Sequence, residues 1–103
     1  MLAGLLPPHA FAAALDLHIA AGKFDEHCVK LAAGEVISYR FKGSAPLDFN
    51  IHHHRGNEVL YPVRHAQVRK LAGTFRAPAA DDYCLMWENT GAQPVTVRGI
   101  TKP

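Results

Sequence analysis

The chain has 103 residues, which is enough for one small domain and too few for two. Charged residues make up 19% of the sequence and hydrophobic residues 49%, a balance that is typical of globular proteins and excludes a disordered chain. The net charge of +2 is small and the basic residues are scattered along the sequence, which argues against nucleic-acid binding, and no apolar run reaches the roughly 20 residues needed to cross a bilayer.

The first twelve residues have the features of the end of a secretory signal peptide. They are apolar and carry an Ala-x-Ala pattern at Ala10 and Ala12, as small-residue cleavage sites do. The basic segment that begins such a peptide is missing, so Met1 is not necessarily the natural start, and the alternative is a mildly hydrophobic arm. From this pattern we predict a single domain spanning residues 13–103 that is periplasmic or secreted.

The rest of the chain predicts only β-strands. Apolar and polar side chains alternate along eight short segments that are separated by turn signals. The predicted strands are 15–19, 28–31, 35–41, 47–53, 58–63, 68–77, 82–88 and 95–100. The turn at Arg55-Gly56-Asn57 predicts a β-hairpin between the fourth and fifth. Eight such strands predict an all-β fold, an antiparallel β-sandwich or jelly roll.

Cys28 and Cys84 are the only cysteines of the chain. An even count in an extracytoplasmic protein favours a disulfide. Strand alternation gives both residues outward parity, which a bridge between neighbouring strands requires. The alternative is a pair of free thiols that binds a soft metal. We predict that the two cysteines form a disulfide.

Three consecutive histidines at the end of the fourth predicted strand form the most distinctive local pattern. Because side chains of a strand alternate between its faces, His52 and His54 share the outward face, whereas His53 points inward with Phe49 and Ile51. Two imidazoles at this spacing lie roughly 6–7 Å apart at Cα, so they can hold one metal ion. The alternative is a polar strand face whose histidines are solvated.

A metal site at the outward histidines needs a third ligand, because two ligands alone bind weakly. Glu58 follows the hairpin turn, Met86 shares the outward parity, and His65 lies beyond the returning strand. Imidazole suits copper and zinc, and the thioether of Met86 favours Cu(I). We therefore predict a copper or zinc site, emptied below about pH 6 as imidazoles protonate. Its predicted ligands are His52, His54, Glu58 and Met86.

A succession of short motifs covers most of residues 15–101. The motifs are Cys28, Gly34, Asp48-Phe49-Asn50-Ile51, Gly73-Thr74-Phe75, the run from Tyr83 to Asn89, and Val95-Thr96-Val97. This succession resembles the GOLD domain, a β-sandwich found in cargo receptors of the early secretory pathway and in some lipid-transfer proteins. The resemblance implies a non-catalytic binding module with a Cys28–Cys84 disulfide. The coiled-coil and membrane-spanning segments of those receptors have no counterpart in these residues, so the receptor role is not implied.

The spacing His52-x-His54-x3-Glu58 also resembles the first motif of the cupins, jelly-roll proteins in which two histidines and a glutamate bind a metal inside a barrel. That resemblance implies a metalloenzyme. Two departures count against it. Asp81-Asp82-Tyr83 stands where the second cupin motif has its histidine, and the inward positions before His52 are apolar.

Apart from that spacing, no pattern in the sequence predicts catalysis. Ser38 and Ser44 are the only serines, neither lies in a nucleophile elbow, and the sequence has no glycine-rich phosphate loop. We therefore predict a non-catalytic binding protein for a transition metal. The alternative is a domain that binds a protein or peptide, for example by adding a partner strand to an exposed sheet edge.

Overall fold

The computed structural model describes residues 12–103, and its regular structure is antiparallel β-sheet. The strands are β1 (Ala13–Ile19), β2 (Phe24–Leu31), β3 (Val36–Arg55), β4 (Glu58–Arg76), β5 (Asp81–Glu88) and β6 (Val95–Lys102). The predicted all-β sandwich is confirmed. In the described part of the chain, no helix is long and apolar enough to cross a membrane. The signal-peptide prediction falls on residues 1–12, which lie outside the described residues except for Ala12.

Residues 12–103 form six strands, and the prediction of eight was wrong because two pairs of predicted strands are continuous. Segments 35–41 and 47–53 belong to β3, and segments 58–63 and 68–77 belong to β4. The pairing of β3 with β4 shifts register between Lys42 and Leu47 and then continues. On β4, Gln67 takes a positive φ of 51°, and its backbone N–H donates to Asp48 Oδ1 at 2.9 Å. The irregularity bends both strands without ending them.

The bend of β3 divides the sheet into two layers, because the strand changes its neighbour there. Before the bend β3 pairs with β6 over Ser38 to Gly43, and after it with β5 over Asp48 to His52, while β4 follows both halves. The first layer therefore contains β1, β6, the first half of β3 and the second half of β4. The second layer contains β2, β5, the second half of β3 and the first half of β4.

Aromatic rings from the two layers meet in the core. Phe49 lies 5.0 Å from both Tyr39 and Phe41, and Trp87 lies 5.7 Å from Phe41, measured between ring centroids. All four side chains are buried. Truncating one such ring to Ala typically costs about 3–5 kcal/mol. Cross-layer aromatic packing is therefore a main source of the stability of this small domain, and the inward position predicted for Phe49 is confirmed.

Cys28 and Cys84 form a disulfide, so the alternative of two free thiols is wrong. The two residues are directly opposite each other on β2 and β5. The bond joins positions 56 residues apart in the sequence. Closing a loop of that length in the unfolded chain stabilises the folded state by about 4 kcal/mol in the chain-entropy model. The bond also attaches the edge strand β2 to the rest of the second layer.

Candidate functional site

The three histidines lie at the end of β3, just before the hairpin turn, and their side chains alternate between the two faces of the strand. His52 lies on the outer face of the second layer, directly opposite Cys84. His53 points inward, with its ring 4.8 Å from the ring of Tyr83 and its Nδ1 2.9 Å from Asp81 Oδ2. His54 is exposed. The hydrogen bond between His53 Nδ1 and the Asp81 carboxylate is the main reason why the pKa of Asp81 is lowered.

His52 is enclosed although it lies on an outer face, with only 6% of its surface exposed. Its Nδ1 lies 2.8 Å from Asn50 Oδ1 and its Nε2 lies 3.2 Å from Glu26 Oε1. The rings of His54 and Tyr61 flank it at 5.7 and 5.8 Å. Two oxygen acceptors suit the doubly protonated ring, but burial disfavours the imidazolium charge. Burial is the larger effect and lowers the pKa of His52.

Among the described residues, His52, His54 and Glu58 do not form a group whose donor atoms all lie within 4.8 Å of one another. Glu58 is opposite Arg55 in the hairpin, Met86 is opposite Asn50, and His65 is opposite Phe49 farther along β4. Within residues 12–103, the only three His, Cys, Asp or Glu side chains with donor atoms within 4.8 Å of one another are Glu26, Cys28 and Cys84, and both sulfurs are in the disulfide. Metal binding by His52, His54, Glu58 and Met86 stays a prediction.

Glu26 is the neighbour of His52 that the sequence interpretation missed. It lies two residues before Cys28 on β2, so it shares the outward parity of the disulfide. A signal was available, since the Cys28–Cys84 pairing fixes the register of β2 against β5. His52 is opposite Cys84 on the other side of β5. The two registers together bring Glu26 within reach of His52.

The outer face of the second layer carries the large apolar side chains that are most exposed in the described residues. Phe24 is 56% exposed, Tyr61 43% and Val59 40%. Arg64 places its guanidinium carbon 4.1 Å above the ring of Tyr61, a cation–π contact. We call this surface the histidine face; it comprises Phe24, Glu26, Met86, His52, His54, Val59, Tyr61 and Arg64.

A groove of about 420 Å³ crosses the histidine face. Tyr61, Arg64 and Met86 line it together with the acidic residues Asp48 and Glu88. Tyrosine, arginine and methionine are enriched in protein interfaces, because they supply large contact areas and polar groups together. The groove therefore has the composition of a protein-binding surface.

The outer face of the first layer has the opposite character. We call it the basic face; it comprises Arg40, Lys42, Lys70, Arg98 and Lys102, all of which are exposed. Lys42 is directly opposite Arg98 on β6 and directly opposite Lys70 on β4. Asp16 on β1 is opposite Arg98, and their side chains approach to 3.7 Å. The sequence interpretation missed this face because its cations come from three strands that are distant in the chain.

No protein-family model matches the chain, and no curated protein matches it. Solved structures do share its fold. PliG of Aeromonas hydrophila, a periplasmic inhibitor of g-type lysozyme, is similar with a TM-score of 0.65 and 15% identity over 96% of this chain and 91% of that one. The pre-peptidase C-terminal domain of a Bacillus anthracis collagenase has a TM-score of 0.67 and 15% identity over 87% and 88% of the two chains.

The Yersinia pseudotuberculosis-derived mitogen is also similar, with a TM-score of 0.63 and 11% identity over 90% of this chain and 86% of that one. At such identities the similarity shows the fold alone. The chain is thus a small all-β domain of a type found in a periplasmic inhibitor, a pre-peptidase domain and a mitogen. The resemblance to the GOLD domain in particular stays a prediction.

Proposed function

We propose that this chain is a non-catalytic, extracytoplasmic domain that binds a protein partner through its histidine face. The observation that carries the proposal is that the three exposed large apolar side chains of the described residues, Phe24, Val59 and Tyr61, all lie on that one face. The disulfide supports an oxidising compartment. The fold similarity to a periplasmic inhibitor and to other small β domains supports a binding role.

The charges of the histidine face indicate the chemistry of the partner. Glu88 is directly opposite Phe24 and Asp48 is directly opposite Glu88, so carboxylates stand between Phe24 and Tyr61, while Arg64 is held over Tyr61. A complementary surface would carry apolar groups over Tyr61 and over Phe24, with basic groups between them. Charge complementarity of this kind steers association and excludes wrong partners more than it adds affinity.

The test begins with capture on the immobilised 103-residue chain from a periplasmic extract, followed by identification of the bound protein. The purified partner is then titrated against the wild type, Tyr61→Ala and the matched control Lys42→Ala on the basic face. We expect Tyr61→Ala to weaken binding at least about tenfold, as truncation of an interface aromatic anchor does, and Lys42→Ala to have no effect. Equal affinity of all three proteins would show that the histidine face is not the binding surface.

A second candidate function is metal binding at the same face. The observation that favours it is the carboxylate of Glu26 at 3.2 Å from His52 Nε2, beside the ring of His54. A metal ion would bind between His52 Nε2 and the Glu26 carboxylate and would break their direct contact. Glu26 would then take the role of the third ligand that the sequence assigned to Glu58 or Met86. Calorimetric titration with Zn²⁺ and Cu²⁺ tests it with His54→Ala as the variant and His18→Ala, an exposed histidine on β1 of the other layer, as the control. Protein binding that persists in a chelator would separate the two functions.

A further inference from the structure

Three cations of the basic face, Arg98, Lys42 and Lys70, stand in a single row across the first layer. Reading across the strands, Asp16 on β1, Arg98 on β6, Lys42 on β3 and Lys70 on β4 are consecutive cross-strand neighbours. Directly opposite side chains lie about 4.5–5.5 Å apart at Cβ, so like charges in such positions destabilise a sheet. Within residues 12–103, one ion pair neutralises this row, between Arg98 and Asp16. Lys42 and Lys70 face each other uncompensated.

The two ends of the row differ. At one end Asp16 supplies a carboxylate on β1. At the other end Lys70 lies on β4, which among the described strands pairs with β3 alone. In an antiparallel strand, alternate residues direct both their N–H and their C=O away from the neighbour, so the outer edge of β4 presents a series of unpaired backbone groups. No strand of residues 12–103 lies beyond Lys70 in this row.

We propose that the edge of β4 from Lys70 to Arg76 adds an extended, acidic segment of a partner protein as a further strand. Backbone hydrogen bonds to the β4 edge supply affinity, and an Asp or Glu beside Lys70 sets the register. A carboxylate of the added strand then lies beside Lys70 at one end of the cation row, as Asp16 lies beside Arg98 at the other end. This proposal concerns a different surface from the histidine face, so its test is independent of the test of the proposed function.

The surroundings of this edge suit an added strand. Ala72, Gly73 and Thr74 lie on β4 beyond Lys70, and with Arg40 on β3 and Lys102 on β6 they line a groove of about 450 Å³ that lies over β3, inward of this edge. Side chains of an added strand reach this groove across the small β4 residues, and Arg40, opposite Ala72, attracts acidic ones. The charges of β4 itself are mostly basic, with Arg64, Arg69, Lys70 and Arg76 against Glu58. A second copy of this chain would oppose like charges at this edge, which disfavours self-association.

The probe is a fluorescein-labelled nine-residue peptide in which Glu alternates with Val and Thr, titrated with the disulfide-intact chain and followed by anisotropy. We expect saturable binding below about 1 mM that weakens as salt is added. A peptide with Lys in place of Glu should bind more weakly. N-methylation of alternate peptide nitrogens should abolish binding, because it removes the backbone donors without changing the charge. No saturable binding, or binding that survives N-methylation, would overturn the proposal.

Charge reversal on the protein gives the matched comparison. Lys70→Glu should weaken binding of the Glu peptide about 3- to 10-fold and strengthen binding of the Lys peptide by a similar factor. Lys30→Glu, an exposed lysine on the other layer, should do neither. Circular dichroism checks that both variants are folded. If gel filtration shows dimers and Lys70→Glu alters them, the edge binds a second copy of this chain. If single-stranded DNA competes as well as the unlabelled Glu peptide does, the edge binds any polyanion. Either result contradicts the addition of an acidic partner strand.

Discussion

The two outer faces of this sandwich are made largely by the same two strands, yet their chemistry is opposite. β3 and β4 run through both layers. In the first layer they display Arg40, Lys42 and Lys70, and in the second they display His52 and Tyr61 with carboxylates around them. A bend in two long paired strands therefore lets one hairpin contribute side chains to two outer faces of different chemistry. Because only the backbone pairing is shared, each half is free to carry its own side chains.

The largest expected effect concerns the disulfide, which lies only in the second layer. The double variant Cys28→Ser/Cys84→Ser should lose about 4 kcal/mol of unfolding free energy. Hydrogen exchange should show that β2 and β5 lose more protection than β1 and β6, since the bond joins the former pair. Urea titration gives the free energy. Equal loss of protection in both layers would mean that the layers are not separable units of stability.

A glycine in the first layer provides the corresponding test there. Gly99 is opposite Phe41, and a Cβ at this position would overlap the carbonyl oxygen of Arg40. Gly99→Ala should therefore destabilise the protein by about 1–3 kcal/mol, the usual cost of overpacking. Gly91→Ala is the control, because its Cβ would meet only Asn89 Oδ1, at 3.4 Å. Thermal unfolding of both variants measures the difference, and equal midpoints would contradict the close approach.

Acid should weaken the second layer through His52. Its pKa is lowered in the folded protein, chiefly by burial, so below its ordinary value of about 6.5 the unfolded chain binds the proton more readily. The free energy of unfolding should consequently fall as pH drops below about 6.5. Asp81, whose pKa is also lowered, acts only in the more acid range near and below its ordinary pKa.

Urea titrations at pH 7.5 and pH 5.0 measure this dependence. His52→Gln should reduce the loss of stability between the two values, whereas the exposed His65→Gln should leave it unchanged. If His52→Gln loses as much unfolding free energy between pH 7.5 and pH 5.0 as the wild type does, the pH dependence comes from groups other than His52.

The smallest expected effect lies in the cation row of the basic face. Lys42→Ser should stabilise the protein by about 0.2–1 kcal/mol at low salt, because it removes the middle of three adjacent positive charges. The gain should shrink at high salt as the charges are screened. Lys30→Ser is the control, since Lys30 faces Asp82 at 3.9 Å and should show no such gain. Destabilisation by Lys42→Ser would show that the row carries no repulsion.

Much of the fold follows from alternation along the chain. The period of two places Tyr83, Leu85 and Trp87 in the core, puts Cys28 and Cys84 on the same face, and separates His53 from its neighbours. The number of strands did not follow, because segment 42–46, Lys-Gly-Ser-Ala-Pro, has the composition of a turn and segment 64–67 breaks the alternation, yet both lie within continuous strands. Whether such a stretch ends a strand or bends it depends on the partner strand, and β4 remains paired with β3 on both sides of the irregularity.

The sequence by itself determined an all-β domain, a disulfide and the faces on which His52, His53 and His54 lie, because these depend on the side-chain period within single strands. Only the tertiary structure decided that Glu26 and Asn50 enclose His52. It alone decided that basic residues scattered along the chain align in one row that ends at a free edge. Those arrangements depend on strand order and register, which are properties of pairs of strands that lie far apart in the sequence.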